Sequence, residues 1–258
     1  MRRRNMLSSK MPVQQGVLAA DRRGLLPLLT AAAFLIFAQA FMIAPILPQL
    51  ARAFGTTPGT AGLAVPAYLV PYGAMTLVWG PLSDRVGRRP VILGSLAAFT
   101  ILTAATTLVD SAGTFIGMRV ITAIGASGVV PIALALIGDV FPFARRGRAL
   151  GWLFGGMAGG IAVGSTAGAL AEPYIGWPGL FLAVAAGGAL LLVVALAARV
   201  LPGTSRPATV PPLRAVAAGY RNLLGSVRGR RTYSFVLFNA MLHSGIYTWL
   251  GLYLTQRF

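Results

Sequence analysis

The strongest constraint on this chain is a series of apolar runs, each long enough to cross a lipid bilayer. A membrane-spanning helix needs ~20 consecutive, mainly apolar residues. With 56% hydrophobic and only 10% charged residues in a chain of 258, the composition predicts an all-α polytopic membrane protein. The runs predict spans at Leu25–Leu47, Ala61–Leu82, Val91–Leu108, Phe115–Ile137, Ala149–Leu170, Leu180–Val200 and Tyr233–Leu254.

Basic residues are distributed unevenly between the two sides of these spans. The formal net charge is +17, and nineteen of the 22 Lys and Arg residues fall in the amino-terminal tail (1–24) or in the connections after the second, fourth and sixth spans. The positive-inside rule therefore predicts a cytoplasmic amino terminus in the inner or plasma membrane of the cell. Because topology and contacts with membrane lipids explain the basic charge, we expect no nucleic-acid partner.

The residue types needed for metal binding and catalysis are scarce. The chain has no Cys and a single His, which excludes disulfides, thiolate metal sites and multi-histidine metal sites built within it. The spans contain no nucleophile with a base and no nucleotide-binding loop. We therefore predict no catalytic residue, no metal and no cofactor, and a membrane enzyme is a distant alternative.

A charged turn separates the second and third predicted spans, with the sequence Gly-Pro-Leu-Ser-Asp-Arg-Val-Gly-Arg-Arg-Pro-Val-Ile at 80–92. Gly80 lacks a side chain, which predicts a close approach of two helix backbones, and Gly87 predicts the positive φ of a tight reversal. We expect Asp84 to pair with an arginine or a helix N-terminus, and the arginines to reach lipid headgroups. The alternative is a generic positively charged loop.

This turn resembles the signature loop of the major facilitator superfamily of secondary transporters, G-x-L-[SA]-D-R-x-G-R-[RK]-x-x-[LI]. The resemblance implies a six-helix amino-terminal bundle (25–200), a cytoplasmic central loop (201–232) and a seventh membrane helix (233–258), after which the second half of the family fold is absent. It also implies that the turn stabilises one state of an alternating-access cycle. The matching positions are Gly80, Leu82, Ser83, Asp84, Arg85, Gly87, Arg88, Arg89 and Ile92.

A charged residue inside the fourth span carries a second resemblance. Arg119, Gly125 and Ala126 match the family's R-x-x-Q-G-x-G-A element, with Thr122 and Ala123 in place of its Gln and first Gly. The resemblance implies a role for Arg119 in proton coupling and helix contacts, because charges at membrane depth are usually functional. The alternative is an arginine that snorkels to water at the end of its helix.

The connection after the fourth span (138–151) resembles the corresponding cytoplasmic loop of the family. Asp139, Arg145 and Arg146 are predicted to form an inner-face charge cluster with Asp84 and Arg85 that holds one conformation closed. The alternative is a solvated loop, because exposed ion pairs contribute under ~1 kcal/mol.

Glycines recur every four residues along the fifth span, at Gly156, Gly160, Gly164 and Gly168. This spacing predicts a small-residue groove against which another helix can pack at backbone distance. The groove resembles the G-x-x-x-G-P-x-x-G-G element of antiporters in the family, although Ile161 stands at the proline position and Ser165 at the last glycine. A purely structural packing role is the alternative.

Polar side chains in the first, second and seventh spans are candidates for lining a substrate cavity. The three in the seventh span recur at i, i+4 and i+8, which places them on one stripe of a helix. The alternatives are a packing role for the two tyrosines and a hydrogen-bonded structural role for the histidine. The candidates are Gln39, Tyr68, Tyr72, Asn239, His243 and Tyr247.

The connection after the sixth span begins with several prolines and continues as a basic amphipathic stretch. This pattern predicts a linker followed by a helix on the membrane surface. The apolar residues of the stretch are Leu213, Val216, Tyr220, Leu223 and Leu224.

These resemblances point to the drug and sugar efflux branch of the superfamily. They imply a secondary transporter that exports a small organic molecule in exchange for protons. The alternative is a truncated, non-transporting fragment, or a half-transporter that needs a separate carboxy-terminal half or a second copy of itself to complete its cavity.

Overall fold

The computed structural model describes residues 24–202, 213–239 and 241–242. The chain divides into two compact units, Met1–Arg206 and Pro207–Phe258, which are described separately below. The tail up to residue 23, residues 203–212 of the central loop and most of the predicted seventh span lie outside the described residues.

The first unit is built from helices joined by short turns. Five of its segments are long and apolar enough to cross a membrane: Leu25–Ala53, Pro58–Val86, Arg88–Leu108, Ala112–Val140 and Phe143–Ala197. The predicted all-α polytopic membrane fold is therefore confirmed. The helices are α1 (Leu25–Phe41), α2 (Leu47–Ala53), α3 (Pro58–Gly62), α4 (Pro66–Val86), α5 (Arg88–Ala105), α6 (Ala112–Ala126), α7 (Val129–Val140) and α8 (Phe143–Ala197), with 3₁₀ turns at Ala44–Ile46 and Thr106–Leu108.

The fifth and sixth predicted spans differ most from the structure. We predicted a connection between residues 170 and 180, but helical structure runs through this region and is interrupted only at Gly176, with φ 66° and ψ 168°. This break divides α8 into a first arm (143–175) and a second arm (177–197). Each arm is long enough to span a bilayer core of ~30 Å, so a single residue turns the chain between two spans.

Replacing Gly176 by alanine should destabilise the first unit by about 1–3 kcal/mol, because its φ and ψ lie in a region that is essentially restricted to glycine. The measurement is the midpoint of unfolding in detergent, followed by tryptophan fluorescence. Gly113→Ala is the matched control, since Gly113 lies in α6 with nothing within 4 Å of an added Cβ. Equal midpoints for the two variants would contradict the strained conformation.

The core of the first unit is formed mainly by α1, which packs against α8 along most of its length. Three clusters of buried apolar side chains follow one another along α1. The first contains Leu29, the middle one Ile36, and the third Ile43, two residues beyond the end of the helix. The helix is thereby fixed at the centre of the unit, and side chains from α4 and α6 meet it from other directions.

The second unit begins, within the described residues, with α9 (Leu213–Gly225). The helix occurs where the sequence predicts a surface helix. It ends at a bend, where the hydroxyl of Ser226 accepts a hydrogen bond from the Gly229 backbone N–H over 3.0 Å. A further helical segment, 227–239, follows directly. Its position overlaps the start of the predicted seventh span.

Candidate functional site

Among the described residues of the first unit, Arg119 is the largest fully buried side chain, with 1% of its surface exposed. Its Nη1 donates to the side-chain oxygen of Gln39 over 2.8 Å, and its Nη2 donates to the backbone carbonyl of Ala40 over 3.3 Å. The Nε donates to the carbonyl of Ala64 over 3.3 Å. The arginine therefore joins α6 to α1 and to the turn before α4, and the snorkelling alternative is wrong.

The acceptors explain how a guanidinium group can be buried here without a carboxylate partner. Gln39 and Ala40 lie in the last turn of α1, where backbone carbonyls have no partner within the helix. Because the carboxyl end of a helix carries partial negative charge, a cation is favourable at this position. Arg119 thus caps the C-terminus of α1 just before the bend at Ala44–Ile46.

Aromatic side chains of α4 and α1 lie in a row that begins at Arg119. The guanidinium carbon lies 4.1 Å from the centre of the Tyr68 ring, which corresponds to a cation–π contact. Tyr68 stacks on Tyr72 with ring centres 5.8 Å apart, and Tyr72 and Phe37 form a T-shaped pair with ring centres 6.2 Å apart. These contacts link α6, α4 and α1 in one row of packed groups.

Several buried polar atoms in this region have no hydrogen-bond partner among the described residues. They include the amide nitrogen of Gln39 and the hydroxyls of Tyr68, Tyr72 and Thr122. Because a buried unpaired polar group costs about 1–3 kcal/mol, such groups commonly bind water or a ligand. The row of groups around Arg119 therefore retains unused hydrogen-bonding capacity.

The structure places the predicted cavity residues differently from our expectation. Gln39 and Tyr68 are buried in helix packing, with 0% and 1% exposure, so they do not line an open cavity here. Both contact Arg119, and this contact explains their burial. Asn239 is exposed in the second unit, and His243 and Tyr247 lie outside the described residues.

An open cleft lies instead between α1 and the first arm of α8, with a volume of about 580 Å³. An adjoining cleft of about 550 Å³ shares part of its lining and includes Arg148. The hydroxyl of Thr30 is buried at this site without a hydrogen-bond partner. The lining of the larger cleft comprises Leu26, Pro27, Thr30, Ala31, Phe34, Phe141, Trp152 and Gly156.

Of these lining residues, only Gly156 was named from the sequence. A signal for the others was nevertheless present in the spacing: Thr30 and Phe34 are four residues apart on α1, and Trp152 and Gly156 are four apart on α8. Residues at this spacing share one helix face. Which of the many such faces meet across a cleft depends on the tertiary structure.

The charged turn between α4 and α5 is centred on Gly87, which has φ 105° and ψ 150°. The backbone at this residue therefore has the positive φ that the sequence predicts. Beside it, Arg88 donates to Asp139 over 2.9 Å and lies 3.9 Å from Asp84. Arg88 is the most buried of the three, with 19% of its side chain exposed against 46% for Asp84 and 56% for Asp139. One arginine thus bridges two carboxylates from different helices.

Two details of the predicted charge cluster are corrected by this geometry. Asp139 pairs with Arg88 rather than with Arg145 or Arg146, because the start of α5 approaches the end of α7. Arg146 instead donates to the carbonyl of Phe141 over 2.9 Å, and Arg145 is exposed. Arg85 and Arg89 are half-buried beside the turn.

Gly80 does not mediate the close helix approach that we predicted. A Cβ added there would meet nothing within 4 Å among the described residues. The reason is that the segment Pro58–Val86, which includes α4, is poorly covered by other helices. The backbone carbonyl of Gly80 accepts a hydrogen bond from the hydroxyl of Ser83 over 2.8 Å.

The four glycines of the first arm of α8 face the backbone of α1. An added Cβ would lie 2.7 Å from the Thr30 carbonyl at Gly156, 2.5 Å from the Ala38 backbone at Gly164 and 2.8 Å from the Met42 carbonyl at Gly168. At Gly160 it would overlap the carbonyl oxygen of Phe34. Real side chains do not approach backbone atoms so closely, and α1 can therefore lie in this groove only because the positions are glycine.

This combination of a charged helix turn, a buried membrane arginine and a glycine groove corresponds to one known family. The family model of the Major Facilitator Superfamily matches residues 29–258. The chain belongs to the major facilitator superfamily. The members of this superfamily are in general membrane transporters.

Relatives of this chain in the superfamily include named resistance proteins and antiporters. A chloramphenicol resistance protein of Pseudomonas aeruginosa is 37% identical over 141 residues, which cover 54% of this chain and 34% of that protein. The MFS antiporter QDR1 of Candida albicans is 33% identical over 163 residues, which cover 63% of this chain and 32% of that protein. The chain thus spans about a third of the length of these curated relatives.

The fold is also similar to that of a solved transporter structure. A bacterial homologue of the human lysosomal transporter Spinster, in an inward-facing and unoccupied conformation, superposes with a TM-score of 0.61 at 22% identity. The match covers 74% of this chain and 45% of that one. At this identity the similarity supports the major facilitator fold of the chain.

Proposed function

We propose that this chain supplies one half of a secondary active transporter that exports small organic molecules in exchange for protons. The observation that carries the proposal is the fully buried Arg119, a cation at membrane depth that joins α6 to α1 and to the region before α4. Ionisable residues inside membrane helices are expensive to bury and mark transport or proton pathways. The names of the two relatives, one a resistance protein and one an antiporter, favour export and exchange.

The cleft between α1 and the first arm of α8 is the proposed substrate-facing surface of this half. Phe34 and Trp152 provide apolar and aromatic contacts, and Thr30 provides an unpaired hydroxyl. Binding sites for small organic molecules typically combine an apolar lining with a few polar groups. A second half, supplied by further sequence or by another copy, would complete the cavity in an alternating-access cycle.

The test is uptake of labelled chloramphenicol into everted membrane vesicles of a bacterium lacking its own efflux pumps. In this orientation an antiporter should accumulate the drug when the vesicle interior is acidic, and a protonophore should abolish the accumulation. Accumulation that persists with the protonophore would overturn proton coupling. Absence of transport by correctly inserted protein would favour the alternative, a fragment or half-transporter that requires a partner chain.

We further propose that the turn between α4 and α5 stabilises one conformation of the cycle through Arg88 and its two carboxylates. Asp139→Asn should lower the transport rate by about 2- to 5-fold, since a half-exposed ion pair contributes up to ~1 kcal/mol. Asp84→Asn should have a smaller effect, because Asp84 lies farther from Arg88. Asp110→Asn is the control, as Asp110 is exposed elsewhere. Unchanged transport by Asp139→Asn, at equal protein abundance, would contradict a gating role.

A further inference from the structure

The second unit carries a strongly one-sided charge. Residues 207–258, which form this unit, contain six arginines and no Asp or Glu. Five of these arginines occur between positions 214 and 231, in and directly after α9: Arg214, Arg221, Arg228, Arg230 and Arg231. No acidic group in this part of the sequence can neutralise them, so anions from outside the segment are favourable partners.

Among the described side chains of α9, the apolar and the basic ones point in different directions around the helix. Each residue advances the direction by ~100°, so Tyr220, Leu223 and Leu224 fall within an arc of ~100°, and all three are exposed. Arg214 and Arg221 are seven residues apart and therefore lie within ~20° of each other, at one edge of this arc. An apolar face with cations along its edge is typical of helices that lie in a membrane interface.

The segment that follows α9 indicates where the membrane is. In the helical segment 227–239, the consecutive residues Phe235, Val236, Leu237 and Phe238 are each more than half exposed. Four consecutive helical residues point in all directions, so residues 235–238 require apolar surroundings on every side, which a bilayer interior provides. Since α9 ends only two residues before the segment begins, it lies at the height of the lipid headgroups.

We propose that α9 lies flat on the membrane surface and that anionic phospholipid headgroups bind to its Arg214 and Arg221 and to Arg228, which follows the bend after the helix. The apolar arc at Tyr220, Leu223 and Leu224 enters the boundary between headgroups and acyl chains. The arginines extend sideways to lipid phosphates, as long basic side chains do at interfaces. Anionic lipid would thereby hold the connection between the sixth and seventh predicted spans against the bilayer.

The absence of cysteine from the chain allows a direct test with the full-length protein. A single cysteine is introduced as Leu224→Cys, labelled with a nitroxide and reconstituted into nanodiscs. The rate at which the nitroxide label collides with molecular oxygen, which is enriched in lipid, is compared with the rate at which it collides with a water-soluble nickel complex. With phosphatidylglycerol mixed into phosphatidylcholine, the label should be shielded from nickel, and in phosphatidylcholine alone it should be accessible. Asn222→Cys, on the opposite face of α9, should stay accessible in both bilayers.

The arginines are tested by replacing all three with glutamine in the Leu224→Cys background. Each basic residue near an anionic surface strengthens membrane binding by roughly a factor of five. The ratio of membrane-bound to unbound helix should therefore fall by about 100-fold when all three arginines are replaced. Replacement by lysine should preserve the shielding. Equal nickel accessibility in the two bilayers would overturn the proposal, as would shielding that survives the glutamine substitutions. A shift produced in phosphatidylcholine by inorganic phosphate alone would overturn it in favour of free phosphate.

Discussion

Arg119→Leu should destabilise the first unit by about 3 kcal/mol or more. Replacing a buried ion pair by apolar residues is often harmless, but here three of the four acceptors are backbone carbonyls, which no substitution can remove. Loss of the guanidinium removes the donor to Ala40 and Ala64 and to both oxygens of Gln39. Each buried acceptor left without a partner costs about 1–3 kcal/mol. The measurement is the unfolding midpoint of purified protein titrated with a denaturing detergent.

Arg52→Leu is the matched control for this substitution. Arg52 is exposed and makes a single long hydrogen bond, from its Nε to the Pro48 carbonyl over 3.4 Å, so its loss should change the stability by less than ~0.5 kcal/mol. Arg119→Lys should be intermediate, because one ammonium group cannot reach acceptors on both sides of a planar guanidinium. If Arg119→Leu unfolds at the same detergent fraction as Arg52→Leu, the capping role of Arg119 is wrong.

Gly160→Ala should also lower the stability, by about 1–3 kcal/mol. The added methyl group would overlap the carbonyl oxygen of Phe34, and a Cβ there would also lie 3.1 Å from the backbone nitrogen of Ala38. Because these are backbone atoms rather than flexible side chains, α1 and α8 must separate to make room. Separation would loosen the main helix contact of the unit, and Gly160→Leu should prevent folding altogether.

The control for Gly160 lies five residues earlier on the same helix. Gly155 is exposed and an added Cβ would meet nothing within 4 Å. Both alanine variants gain the same intrinsic helix preference of ~1 kcal/mol, so the difference between their unfolding midpoints isolates the packing term. Gly155→Ala should be neutral or stabilising, and a Gly160→Ala midpoint equal to it would refute the close contact between α1 and α8.

The two sites act on the same helix. Arg119 holds the last turn of α1 from the side of α6, while the glycine groove holds its length from the side of α8. The proposed substrate cleft lies between α1 and α8, so its shape depends on both contacts. Variants that weaken either one are therefore expected to change transport as well as stability, and transport should be compared only among variants of equal unfolding midpoint.

Local sequence features were sufficient for the predictions that depend on neighbouring residues. Apolar runs of membrane length predict membrane helices because a bilayer core has a fixed thickness. The positive φ at Gly87 follows from a tight reversal between two helices, and the regular spacing of the glycines defines a groove on one helix face. Each of these features is contained within one helix or one turn, and the structure has all of them.

The tertiary structure decided which groups meet. Arg119 and Gln39 are 80 positions apart, and no local pattern shows that the arginine would cap α1 rather than snorkel to water. Similarly, Arg88 became the partner of Asp139 because α5 begins beside the end of α7, although Arg145 and Arg146 are closer along the chain. The sequence by itself determined the membrane helices, the turn at Gly87 and the family, since these depend on composition and short-range order. The burial of Arg119, the ion-pair partners and the cleft between α1 and α8 depend on how distant helices pack.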